Sequence, residues 1–138
     1  AGSHEHCAFQ MARRLIANRK ETPLPDVILS TEDTMTRGVL SALLEAGLRP
    51  GEDVCIITIE NRGSTVLGPF ASNITRIVID PAAVVHAALD MLEQLMEGRT
   101  PPRNPVLIPP MDVIRSPFHF KLSGNRSATQ NPQQKPFA

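Results

Sequence analysis

Side chains able to do chemistry gather in two places along this chain. Glu32 and Asp33 follow the short apolar run DVILS, and Glu60 and Asn61 follow the run VCIITI. Carboxylates meeting at one cleft could act as acid and base. They could equally accept hydrogen bonds from the hydroxyls of a bound molecule. No defined nucleophile stands beside them, so binding rather than catalysis is expected. Gly63 and Gly68 fit neither G-x-G-x-x-G nor G-x-x-x-x-G-K-[ST], which leaves nucleotide chemistry unsupported. His4 and His6 could mimic a metal pair, but Ala1 to His4 reads as the remnant of an expression tag. His86 and His119 stand apart, and no four-ligand zinc spacing exists. Neither a cofactor nor a metal is expected. Arg62, beside Glu60, could meet an acidic ligand, but pairing with a carboxylate is the simpler expectation.

The elements that must hold these residues follow from periodicity. Ala8, Met11, Ala12, Leu15 and Ile16 recur at helical spacing over Cys7 to Asn18. DVILS is short and apolar, as suits a strand buried on both faces. A helix follows, with Thr31 or Asp33 as its cap, Met35, Val39, Leu43 and Ala46 as its stripe, and Gly47 as its left-handed end. Val54 to Ile59 is a second strand, and Glu60 to Asn73 a broken polar loop. Ile74 to Ile79 is a third strand. Asp80-Pro81 then starts a helix running to Met96, with Val85, Ala88, Leu89, Leu92 and Leu95 on one side. Short strands are expected at Val106 to Ile108 and Val113 to Arg115.

Helices alternating with buried strands give an α/β fold, a three-layer α/β/α arrangement with a mainly parallel sheet. In such sheets ligands bind beyond the C-terminal ends of the strands. That rule selects Ser30 to Asp33 and Glu60 to Ser64, the places where the carboxylates stand.

Composition narrows the function further. The chain has 138 residues, with 14 basic and 14 acidic side chains and no net charge. DNA binding draws on an excess of Lys and Arg, which is missing. With no Trp and no Tyr, an aromatic stacking platform is not expected. No apolar run approaches the roughly 18 residues that cross a bilayer. Cys7 and Cys55 read as small buried residues in a reduced, cytoplasmic setting. Residues 5–118 are expected to form one lobe, and 119–138, rich in Asn, Gln, Ser and Pro, a polar tail. The opening lacks a Met, and the chain reads as a piece of a larger protein.

Three stretches in order carry a resemblance. LPDVILSTEDTMTRGVLSALLEAGLRPGEDVCIITIEN, ITRIVIDPAAVVHAALDMLEQLMEGRTPPR and LIPPMDVIRSPF together resemble LacI/GalR-type transcription regulators from about Pro25 to Phe118. The matching features are a Pro-Asp strand ending in a polar-Asp pair, then a helix with a Met and a Gly. Glu-Ala-Gly, Glu-Asp-Val, an apolar strand with an acidic end and a closing Arg-Ser pair follow.

The resemblance implies the C-terminal lobe of a two-lobed, periplasmic-binding-protein-like sensor. A small effector, expected to be a carbohydrate, would sit between the lobes, and DNA would be held only by a headpiece outside this chain. It further implies that Glu60 and Glu32 face the effector, with Asn61 beside the first and Asp33 supporting the helix start. Where the family often has Gly-aromatic-Asp-Asp, this chain has Thr58-Ile59-Glu60-Asn61. A polar contact sometimes seen before the Asp of the third strand falls on Ile79 and is not carried over. A homodimer is implied through Thr36, Arg37 and Leu40 and through Val66 and Leu67. The last two are also notable as apolar residues in a polar loop. The alternative is a fragment of a solute-binding protein serving a sugar transporter.

Overall fold

A computed structural model describes residues 3–100 and 105–118; the expected tail, with His119, lies outside them. The elements run α1 (His4–Ala17), β1 (Val27–Ser30), α2 (Asp33–Glu45), β2 (Cys55–Asn61), a 3-10 helix (Gly68–Asn73), β3 (Thr75–Ile79), α3 (Pro81–Met96) and β4 (Asp112–Ile114). The sheet order is β1-β2-β3-β4. The first three strands are parallel and β4 runs antiparallel to β3. This is the α/β class with a mainly parallel sheet that the alternating pattern calls for.

Local chemistry explains most boundaries. Ser3 caps α1 by accepting from the His6 N–H, so residues read as a tag remnant form the start of a helix. Asp80 caps α3 by accepting from the Ala82 N–H, and Pro81 follows where its missing N–H costs nothing. Gly47, at φ 71°, ends α2 in the left-handed region. The cap of α2 differs from expectation. It falls on Glu32, whose side chain makes no capping bond, and Asp33 is already helical.

Three other differences have physical causes. β2 runs two residues beyond Ile59, because Glu60 and Asn61 register against Val78 and Ile79. No strand forms at Val106 to Ile108. Pro109 and Pro110 have no N–H to donate to a ladder, and pairing with β3 begins only when Met111 donates to the Val78 carbonyl. Cys7 is exposed on α1 rather than buried, and both cysteines are free thiols.

Packing is concentrated on one side of the sheet. Ala8 and Ala12 of α1, Val39, Leu40, Ala42 and Leu43 of α2, and Val54, Ile56, Leu67 and Ile74 form the core. Each large aliphatic side chain buried there stabilises by about 1.5–3 kcal/mol. α1 and α2 cross closely at Gly38, where an added Cβ would lie 2.1 Å from the Glu5 carbonyl oxygen. Glu5 and Arg37 tie the same crossing together, with Arg37 Nε donating to Glu5 Oε1 at 2.8 Å. In contrast, no residue of α3 is buried.

Candidate functional site

The register Ser30↔Thr58 brings the ends of β1 and β2 side by side, so that Glu32, Asp33, Glu60 and Asn61 emerge at one end of the sheet. The four residues sit differently there. Glu60 is only 4% exposed and Asp33 is buried, Glu32 is half-buried, and Asn61 is open to solvent.

A buried charge needs a partner. Glu60 finds one in Arg76, whose Nη1 donates to Oε2 at 2.9 Å. Arg76 stands on β3 opposite Thr58, with a side chain largely covered, and its Nε–H is buried without an acceptor among the described residues. Sequence reasoning missed this residue. The signal was there, since a lone arginine inside the apolar run ITRIVI requires a counter-charge nearby.

Hydroxyls link the two strand ends. Thr36 and Thr58 share a hydrogen bond of 2.7 Å, and Thr36 also donates to the Glu32 carbonyl at 2.9 Å. Ser30 donates to the same carbonyl at 3.1 Å. Ser64 donates to Asp33 Oδ2 at 2.6 Å and accepts from the Val66 N–H, which fastens the loop after β2 to the start of α2. Asp33 is therefore a structural anchor. The Glu32 carboxyl accepts from the Thr34 hydroxyl at 2.8 Å and from His4 at 2.9 Å. The Thr34 bond first and the His4 bond second hold it below the usual glutamate range, against a smaller opposing effect of burial. Arg62 pairs with Asp80 at 3.3 Å, in keeping with the simpler expectation for it.

The residues expected at a dimer face are divided by burial. Thr36 and Leu40 lie in the core at 0% and 1% exposure, and Leu67 is buried too. A buried side chain cannot meet a second copy without disrupting its own packing. Of the five, Arg37 is exposed and Val66 partly so. Thr36 and Leu40 lie on the buried stripe of α2, which is wider than the residues spaced from Met35 to Ala46 suggest.

Among the described residues, no three His, Cys, Asp or Glu side chains stand together in a way that could hold a metal. No described helix is long and apolar enough to cross a membrane. What the strand ends offer is one polar wall, able to accept hydrogen bonds through Glu32 and Glu60 and to donate through Asn61.

Comparison with known proteins places this geometry. A family model described as a periplasmic binding protein-like domain matches residues 2–116. A regulatory protein of the LacI family from Chloroflexus aggregans is 25% identical, with a TM-score of 0.66 over 84% of this chain and 40% of that one. A LacI family transcriptional regulator from Arthrobacter sp. FB24, in complex with lactose, is 29% identical. Its TM-score is 0.56, covering 75% of this chain and 36% of that one. A LacI family regulator from Clostridium acetobutylicum shares the fold at 18% identity and a TM-score of 0.61, over 84% of this chain and 42% of that one. The chain thus spans well under half the length of the regulators it matches. No curated protein matches it. The chain belongs to the periplasmic binding protein-like domain family, in the form carried by the LacI-family regulators it resembles.

Proposed function

We propose that the chain is one lobe of the effector-sensing and dimerising module of a LacI-type transcription regulator acting in the cytoplasm. It takes no part in catalysis. A small polar ligand, sugar-like in its hydroxyls, lies between this lobe and a second one. Glu60 is its principal polar contact here, with Glu32 and Asn61 beside it, and Asp33 holds the helix start. The observation that carries this reading is the buried Glu60 carboxylate at the C-terminal end of a parallel strand, the end where α/β sheets bind ligands. Arg76 occupies Oε2, and Oε1 makes no hydrogen bond among the described residues. The Arthrobacter relative holds lactose, which supports a carbohydrate as the ligand class.

Output then follows by population shift. A ligand that favours one arrangement of two lobes changes the spacing of DNA-binding headpieces outside this chain, by no more than its differential affinity for the two arrangements. Dimerisation would use the surface around Arg37 and Val66.

Calorimetry against a panel of neutral mono- and disaccharides that includes lactose tests the reading. A two-lobed protein carrying this chain binds one of them, and the chain alone shows no tight, stoichiometric binding because it supplies half a cleft. Tight binding to the isolated chain, or none of the panel bound by the two-lobed protein, contradicts it.

A further inference from the structure

The ion pair at the candidate site is not closed as a purely stabilising pair would be. Arginine and carboxylate frequently meet fork to fork, through two parallel N–H···O bonds. Arg76 and Glu60 make a single one, from Nη1 to Oε2 at 2.9 Å. Each keeps an unused group. Glu60 Oε1 makes no hydrogen bond among the described residues, and the buried Arg76 Nε–H meets no acceptor among them. The two side chains are 19% and 5% exposed. Taking two charges out of water offsets most of what their attraction returns. Stability alone therefore does not account for an arginine at this place in β3.

Its position gives the cation a second use. Side chains alternate faces along a strand. Arg76 lies opposite Thr58, and Glu60 follows Thr58 by two residues, so all three share one face of the sheet. Arg76 thus stands one pleat behind Glu60, on the side away from the strand ends. A carboxylate backed in this way has no net charge to offer a ligand. Two unit charges roughly 6 Å apart still interact by several times the thermal energy at a protein surface. A cation in front of Glu60 would feel Arg76 behind it, and an anion would meet Glu60 first.

We infer that Arg76 determines ligand specificity through Glu60. It holds Oε2 and cancels the carboxylate's charge, so that Oε1 accepts from a neutral hydroxyl and discriminates against an ammonium or a carboxylate at the same place. The inference rests on the reading of Glu60 as the ligand's contact, and adds the charge class of the ligand and the residue that sets it. Glu32, the other carboxylate of the wall, is tied instead to Thr34 and His4. Its charge is untouched by changes at Arg76.

Calorimetry on the two-lobed protein tests this, with lactose or whichever sugar of the panel it binds as the probe. The probe is compared with its monoamino and monocarboxylate counterparts, one hydroxyl replaced at a time. Arg76→Gln raises the affinity of a monoamino counterpart relative to the neutral sugar at least about tenfold, and Arg76→Lys, which keeps the charge, does not. Glu60→Gln leaves Arg76 uncompensated and raises a monocarboxylate counterpart by a similar factor. A merely structural role would weaken every ligand in proportion. Thermal melts establish that each variant is folded; should one fail to fold, the other carries the test. Relative affinities unmoved in a folded variant overturn the inference. If Glu60→Gln nonetheless weakens the neutral sugar, the reading of Glu60 as a contact stands without it. A two-lobed protein that binds no sugar of the panel, or binds it unweakened after Glu60→Gln, overturns that reading and the inference together.

Discussion

α2 and α3 have similar lengths and similar apolar spacing, yet seven residues of α2 are buried and none of α3. Val39, Leu40 and Leu43 of α2 press on the sheet and on α1, whereas Val85, Leu89, Leu92 and Leu95 of α3 remain about half exposed. Periodicity states that a face is to be covered; it does not say what covers it. In α2 the cover is this chain. In α3 it is not found among the described residues, and the proposed two-lobed module would have to supply it.

Truncation breaks that comparison most directly. Leu43→Ala removes a side chain that is 1% exposed and should cost about 2–5 kcal/mol. Leu92→Ala, on a half-exposed position, should cost about 0.5 kcal/mol or less. Urea unfolding of both variants decides it. Equal losses would mean that α3 is packed as tightly as α2.

A smaller effect sharpens the α1–α2 side. The Arg37 guanidinium, chiefly by its hydrogen bond, holds the Glu5 carboxyl below the usual glutamate range, and Arg37 is raised in turn. A carboxylate lowered on folding adds stability that is present above its unfolded pKa and lost as pH falls through the folded one. Arg37→Gln should return the Glu5 titration, followed by NMR, to the usual range. The contribution is modest because both side chains are partly solvated. An unmoved Glu5 titration would show that the pair does not set it.

The three parallel strands, the order of elements and the strand-end location of the carboxylates were legible in the sequence because short apolar runs and Pro-Asp, Asp-Pro and Gly signals mark them, whereas the apolar run at Val106 to Ile108 misled because the prolines after it cannot pair. What surrounds each site residue was not. Glu60 reads as the first residue of a loop, and only register against Val78 puts it inside β2. Its partner Arg76 is 16 residues away, a separation that no local spacing rule reaches. Thr36 and Leu40 read as candidates for a surface because their burial comes from the crossing with α1 and from the Thr58 hydroxyl. The Ser64–Asp33 bond, across 31 residues, depends likewise on how the loop folds back.

The central claim is that Glu60 is the ligand's polar contact on this lobe. It is tested most directly by calorimetry on the two-lobed protein with Glu60→Gln, using whichever sugar of the panel binds the unaltered protein. Glutamine keeps the size of the side chain and removes the charge, and a thermal melt confirms that the fold survives losing the pair with Arg76. The account predicts affinity lower by at least about tenfold, near 1.4 kcal/mol. A folded Glu60→Gln protein that binds the sugar as tightly as before would contradict it.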